Sequence, residues 1–111
     1  MITKKIICTP VTFGGSIEKG KPYSNFKEKI KSELKGNIKE DVELKIQLFL
    51  FKKRIRKDRN DLDNFLKPII DSIDKNVIDS ETQISFLSIE RIKVDSPEKE
   101  GIIIEINPVQ T

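Results

Sequence analysis

The feature that most constrains the fold is a change of hydrophobic period between two neighbouring segments. In Val42–Phe51 apolar and polar residues alternate, which is typical of a strand with one buried face. Phe49 and Phe51 interrupt the polar face, so we expect the far end of this strand to be covered on both sides. In Leu62–Ile73 the apolar residues recur at the i, i+3, i+4, i+7 spacing of an amphipathic helix. Ile84–Val94 then reads as a second long strand, so the three segments predict a strand–helix–strand unit with parallel strands.

The segments on either side extend this unit into a small mixed sheet. The expected fold is α+β, a single domain spanning residues 1–111 with the order β-α-β-α-β-β and two helices. The last two strands are expected to pair as an antiparallel hairpin. The other predicted elements are a strand at 2–9, an irregular loop at 10–23, a helix from its N-cap Ser24 to Gly36, a polar turn at 95–101 and a strand at Ile102–Ile106.

Three local irregularities are expected. Pro68 lacks an N–H and crowds the carbonyl of Asn64, so the first turn of the second helix should be bent. Asn76 tolerates the left-handed conformation and is expected to close that helix. In Ile84–Val94 the apolar residues change parity, which predicts a β-bulge near Ser88 or buried contact on both faces.

Composition excludes several classes of function. The chain has no histidine and one cysteine, so imidazole catalysis, a disulfide framework and a zinc site are all excluded. Cys8 lies in an apolar run with no group that would lower its pKa, and we expect a buried thiol. No stretch approaches the roughly 18 apolar residues of a membrane span, and no signal peptide is visible, so we expect a cytoplasmic protein without membrane contact.

The candidate site is a pair of aspartates that follows a basic run. Asp61 and Asp63 lie one residue apart at the start of the second helix, with Lys67 one turn further. Carboxylates can bind Mg²⁺ on a phosphate, although an N-cap with a solvated ion pair is typical of the same pattern. The run ahead of them holds six cations and one anion and should attract polyanions. Its candidate DNA-binding residues are Lys52, Lys53, Arg54, Arg56, Lys57 and Arg59.

A second acidic cluster separates the second helix from the strand that follows. Asp79 and Glu81 lie in the polar segment 79–83, and short connections are expected to bring it back beside the sheet. A third carboxylate from this segment would complete an oxygen cage for Mg²⁺. The alternative is a polar loop exposed to solvent.

Two motifs carry a resemblance to a known family. The first is D-L-D-N-x-x-K over Asp61–Lys67 with the Pro-Ile-Ile-Asp that follows, and the second, Val77–Ile84, is similar to a V-I-x-D-D-x-Q-I pattern. Together they resemble the RusA family of Holliday-junction resolvases of bacteria and their prophages. Arg91 stands where the family often has lysine, and the similarity spans roughly residues 59–91.

The resemblance implies a homodimeric, Mg²⁺-dependent endonuclease, with Mn²⁺ able to substitute, that cuts four-way DNA junctions symmetrically. Asp61 and Asp63 would bind metal, Lys67 would be the catalytic lysine, and Glu81 would replace the third aspartate. Arg91 would contact DNA.

Departures from the family pattern leave alternatives open. Glu81 and Ser80 stand where the pattern has aspartates, so either Glu81 or Asp79 supplies the third carboxylate. A non-cleaving branched-DNA-binding protein with a degraded metal site is one alternative function. The other is a basic α+β interaction protein whose acidic residues only cap helices and solubilise the chain.

Overall fold

The structure, a computed structural model, describes residues 1–10, 21–54 and 62–109. Its order of elements confirms the predicted β-α-β-α-β-β arrangement. Within the described ranges, three short 3₁₀ turns lie between the longer elements, namely Lys52–Arg54, Glu81–Gln83 and Pro97–Lys99. The strands and helices are β1 (Ile2–Ile7), α1 (Lys21–Glu33), β2 (Val42–Phe51), α2 (Leu62–Ile73), β3 (Ile84–Val94) and β4 (Gly101–Pro108).

The four strands form one mixed sheet in the order β1-β4-β2-β3. Strands β2 and β3 are parallel, as the strand–helix–strand unit predicts, and β4 is antiparallel to both β1 and β2. The expected hairpin between β3 and β4 is wrong, because β2 lies between them. The connection contains the turn Pro97–Lys99, which packs against β2, so the chain crosses the end of β2 before it re-enters the sheet. The isoleucine-rich β4 thereby occupies a central position, where both of its edges are paired.

One face of the sheet and the two helices enclose the core. The alternating residues of β2 that were predicted to be buried are buried, and their partners on β4 face the same side. Helix α1 begins at Lys21, ahead of the expected N-cap Ser24, since a proline such as Pro22 fits the first turn of a helix. Core residues include Phe26, Ile30 and Leu34 of α1, Leu44, Ile46 and Leu48 of β2, Phe65, Ile69 and Ile73 of α2, and Ile102, Ile104 and Ile106 of β4.

The left-handed residue and the β-bulge differ from the expectations, whereas the bend at Pro68 stays a prediction. Helix α2 continues through Pro68 as a single element. The left-handed residue after it is Lys75, with φ of 63°, rather than Asn76. The Asn76 side chain instead donates hydrogen bonds to the carbonyls of Leu34 and Ser72, which fixes this residue between the two helices.

The irregularity in β3 lies at the start of the strand, not near Ser88. Val42 pairs with Ile84 and Glu43 with Phe86, so Ser85 is the extra residue on β3. This shift aligns Leu87 and Ile89, like Ile84, with the buried residues of β2, whereas Phe86, Ile92 and Val94 lie on the opposite face. None of the helices in the described ranges is long and apolar enough to cross a bilayer.

Candidate metal and nucleic-acid site

The start of α2 presents one polar face to solvent. Asp63 is exposed in the first helical turn, close to the partial positive charge of the helix N-terminus. Lys67 and Asp71 follow at intervals of four residues, as predicted, and the Lys67 Nζ lies 3.4 Å from the Asp71 Oδ2. Within the described residues, the Asp63 carboxylate has no hydrogen-bond or ion-pair partner. Asp63 is therefore available to a ligand, while Asp71 helps to hold the lysine beside it.

The basic run begins where β2 ends. Lys52 and Lys53 are exposed in the 3₁₀ turn that follows Phe51. Asp61, together with the candidate DNA-binding residues Arg56, Lys57 and Arg59, lies outside the described residues.

The buried residue Glu100 anchors the end of β2. Only 4% of it is exposed, and its Oε2 accepts a hydrogen bond of 2.9 Å from the Phe51 amide. The antiparallel β4 pairs with β2 only as far as Gly101 opposite Phe49, so the Glu100 side chain replaces a carbonyl that the neighbouring strand does not supply. No sequence signal points to Glu100, because a carboxylate in a polar turn carries no pattern that predicts burial.

The second acidic cluster contains two carboxylates in different surroundings. Lys39 Nζ donates to both Asp79 oxygens, at 3.1 and 3.0 Å, and so neutralises that side chain. Glu81 is exposed in the first position of its 3₁₀ turn and has no side-chain partner within the described residues. Of these two carboxylates, Glu81 is the one free to bind a cation.

Gln83 is a further residue that the sequence analysis did not assign a role. Its side-chain amide makes four hydrogen bonds, two to the amides of Asp79 and Ser80 and two to the carbonyls of Ile38 and Glu40. Ser80 and Gln83 together form a capping box at the turn Glu81–Gln83. The spacing S-x-x-Q is the sequence signal that could have identified it.

The two acidic groups lie at opposite ends of α2. Ile78 bridges to Asp74, the residue directly after the helix, so the segment that carries Asp79 and Glu81 starts at its C-terminal end. Asp63 is in the first turn, about 15 Å away along the axis at 1.5 Å per residue. Accordingly, the described part of the chain contains no cluster of three acidic or thiol side chains that could hold a metal ion.

Arg91 lies far along β3 from this segment. It is half-buried and pairs with Leu48, whereas Ile84, at the start of the strand, pairs with Val42. Seven residues of strand separate Arg91 from Ile84 by about 23 Å. Arg91 is therefore in the half of the sheet from which the basic turn after β2 emerges.

Cys8 is not a nucleophile in this fold. Burial raises the pKa of its thiol to about 12, although Lys29 acts in the opposite direction. The thiol is half-buried and packs against the core, and its Sγ lies 3.7 Å from the Ile6 carbonyl oxygen. A thiol with this pKa is protonated at neutral pH. The carboxylates and lysines therefore remain the groups that could take part in catalysis.

Comparison with protein families identifies a relationship over most of the chain. The family model described as endodeoxyribonuclease RusA matches residues 12–107. The matched region contains both motifs, Asp61–Lys67 and Val77–Ile84, and confirms the resemblance expected from them. No curated protein matches the chain.

Proposed function

The chain belongs to the RusA endodeoxyribonuclease family, and we propose that it resolves four-way DNA junctions by metal-dependent hydrolysis of phosphodiester bonds. The observation that supports this proposal most strongly is the exposure of two carboxylates that belong to the family motifs. Asp63 and Glu81 are exposed and have no partner within the described residues, although lysines are abundant in the chain. A carboxylate that only caps a helix or keeps the chain soluble would not need to occupy a position in one of the two family motifs.

The proposed metal ligands are Asp61, Asp63 and Glu81, with Mg²⁺ as the ion and Mn²⁺ as a substitute. Their donors are all carboxylate oxygens, the hard ligands that Mg²⁺ prefers. When bound, the ion supplies a water of lowered pKa and neutralises charge on the phosphate. Glu81 is favoured over Asp79 as the third ligand because it stands at the motif position of the family aspartate and has no side-chain partner within the described residues, whereas Asp79 contacts Lys39 in an exposed pair.

Lys67 acts on the phosphate rather than on the ion. Lys67 follows Asp63 by one helical turn, and the contact of its ammonium group with Asp71 limits the directions in which it can point. In this position it neutralises the charge that develops on the phosphate in the transition state or holds the attacking water. Its half-exposed side chain leaves room for a DNA strand to approach.

A homodimer would bring Asp63 of one chain close to Glu81 of the other. Two carboxylate oxygens that bind one Mg²⁺ lie within about 4 Å of each other, given metal–oxygen distances of about 2.1 Å. Asp63 and Glu81 of one chain are too far apart for this, so each site combines Asp61 and Asp63 of one subunit with Glu81 of the partner subunit. A twofold dimer then carries two equivalent sites, which suits two cuts in a four-way junction.

The edge of the sheet offers a surface for this dimer. Among the strands that the structure describes, β3 has a neighbour on one side only, and Phe86 and Leu87 on it are 48% and 39% exposed. If two β3 edges pair in antiparallel fashion, the start of one strand lies beside the end of the other. Helix α2 ends beside the start of β3, so this pairing brings Glu81 of the partner subunit toward the end from which α2 starts.

The DNA-binding residues are those of the basic run, with Arg91 on β3. Lys52, Lys53 and Arg54 follow β2, and the remaining cations of the run lead to Asp61. They would contact phosphates, so junction affinity should fall steeply with salt.

The second candidate function is a branched-DNA-binding protein that does not cleave. Glu81 favours it, because it stands where the family pattern has aspartate and its extra methylene changes the geometry at a metal. Such a protein would show the same salt-sensitive binding without strand scission.

The test is to incubate a labelled four-way junction with the protein in Mg²⁺ or in chelator. We expect strand scission in Mg²⁺ alone, and its loss in Asp63→Asn and Glu81→Gln with junction binding retained. Glu98→Gln is a matched control for Glu81, since Glu98 is also an exposed acidic residue in the first turn of a 3₁₀ segment. Binding without scission under all conditions would support the second candidate instead.

A further inference from the structure

The side-chain amide of Gln83 uses its entire hydrogen-bonding capacity. Its Oε1 accepts from the Asp79 and Ser80 amides at 2.7 and 2.9 Å, and its Nε2 donates to the Ile38 and Glu40 carbonyls, each at 2.9 Å. An amide offers two donors and two strong acceptor positions, so none is left for solvent or substrate. A side chain with this set of bonds serves to connect backbone segments.

The bonds of Gln83 join two particular segments. Asp79 and Ser80 immediately precede Glu81, whereas Ile38 and Glu40 belong to the segment that leads into β2. The Ile38 amide also bonds to the Val77 carbonyl at 2.8 Å, so the two segments already run side by side before Gln83 joins them.

Inside the turn, the capping contacts are weaker. The Ser80 Oγ accepts hydrogen bonds from the Thr82 amide at 3.3 Å and from the Thr82 hydroxyl at 3.0 Å. Both of these hydrogen bonds are exposed to solvent. The Lys39–Asp79 pair is also more than half exposed and is therefore of little energetic value. Gln83 thus supplies most of the order of the segment that carries Glu81.

We propose that Gln83 is the positioning residue for the Glu81 carboxylate, which it fixes by tying the Asp79–Ser80 backbone to the segment before β2. This inference rests on the proposed function, since it gives the fixed carboxylate its role as a metal ligand. Glu81 has one more rotatable bond than the aspartate of the family pattern, so it loses more conformational entropy when it binds an ion, and a backbone that is already fixed keeps the rest of that cost low.

The chemistry of the four bonds predicts how substitutions rank. Gln83→Ala removes all four bonds. Gln83→Glu keeps an acceptor for the Asp79 and Ser80 amides, but it loses both donors and places a carboxylate against the Ile38 and Glu40 carbonyls. The two retained bonds should keep the Asp79 and Ser80 amides better protected than alanine does, whereas the link to the segment before β2 should be lost in both variants.

Gln47→Ala is the matched control. Gln47 lies on β2 and donates a single side-chain hydrogen bond, to Glu90 at 2.6 Å, across the exposed face of the sheet. The same substitution there removes an amide of the same size without touching the segment before Glu81.

Two measurements on the full-length protein test the inference. The first is amide hydrogen exchange of Asp79 and Ser80 by NMR without metal, and the second is the Mg²⁺ concentration that gives half-maximal junction cleavage. We expect Gln83→Ala to accelerate exchange at both amides and to raise that concentration about 10–100-fold, the usual range for groups that orient metal ligands. Gln83→Glu should fall between alanine and wild type in amide exchange, and Gln47→Ala should match wild type in both measurements.

The outcomes separate this inference from the proposed function. Wild-type Mg²⁺ dependence in a folded Gln83→Ala, or unchanged exchange at Asp79 and Ser80, would overturn the role of Gln83 even if the protein cleaves junctions. If the wild-type protein does not cleave, the proposed function fails, and Mn²⁺-induced broadening of the Glu81 resonances takes the place of cleavage. Equal broadening in wild type and Gln83→Ala would then refute the inference, and weaker broadening in Gln83→Ala would support it.

Discussion

Complementation between two inactive variants tests whether each site is built from two chains. The perturbations are Asp63→Asn, which removes a carboxylate at the start of α2, and Glu81→Gln, which removes the one at its far end. Each variant alone should be inactive, because every site in its homodimer lacks one ligand. About 15 Å of helix separates the two positions within a chain, so a site shared between chains is the arrangement that lets them act on one ion.

The magnitude follows from the symmetry of the dimer. When the two variants are mixed in equal amounts and their subunits exchange at random, about half of the dimers contain one chain of each kind. In such a heterodimer one site joins an intact Asp63 to an intact Glu81, and the other site lacks both. About a quarter of all sites are therefore active, and nicking should recover to about a quarter of the wild-type rate.

The assay is nicking of an end-labelled four-way junction in Mg²⁺ after the variants have been unfolded together and refolded. A mixture of Asp63→Asn with Lys67→Ala is the matched control, since both positions lie on the same face of α2 and no heterodimer site would be intact. Recovery in this control, or no recovery in the Asp63→Asn and Glu81→Gln mixture, would refute the two-chain site.

Three further predictions concern single residues. Lys67→Ala should slow junction cleavage by about 100-fold or more with little change in the Kd for the junction, because one lysine among many adds little to phosphate affinity; equal losses in both would count against its role. Glu100→Ala should lower the free energy of unfolding in urea by about 1–3 kcal/mol, because it leaves the Phe51 amide unpaired; a change below about 0.5 kcal/mol would contradict this anchoring. Cys8 should react with iodoacetamide at pH 8 about a thousandfold more slowly than in urea, and faster as the pH rises toward its pKa of about 12; similar rates in both conditions would disprove its burial.

The sequence predicts those elements of the fold whose signal is local. The alternation in Val42–Phe51 gives the bounds of β2 and its buried face, and the spacing of Phe65, Ile69 and Ile73 gives the buried stripe of α2. Both patterns reflect contact with a single core, so periodicity alone is sufficient to find them.

The order of the strands depends on contacts that no local pattern records. A polar turn between β3 and β4 is typical of a hairpin, yet β4 inserts between β1 and β2, where both edges of this isoleucine-rich strand are paired. The left-handed Lys75 has a similar origin. Asn76 is held by its bonds to α1 and to α2, so the preceding residue takes the strained conformation.

The candidate site was predictable as a set of residues but not as an arrangement. The two motifs identify Asp63, Lys67 and Glu81 from the sequence, and the structure adds that Asp79 is neutralised by Lys39. Short connections suggested that the carboxylates meet beside one sheet, but the length of α2 keeps Asp63 and Glu81 apart within a chain. The position of the two ends of α2 relative to the sheet sets this separation, and it is known only from the fold.

The most direct test of the central claim is the product formed from a supercoiled plasmid that extrudes a cruciform. A dimer with two metal-dependent sites should cut both strands at the junction within one binding event, so linear DNA should appear in Mg²⁺ without accumulation of open circles. No product should form in chelator or from a plasmid that lacks the cruciform. Open circles alone, equal cutting of both plasmids, or no cleavage in Mg²⁺ would contradict a junction-resolving endonuclease.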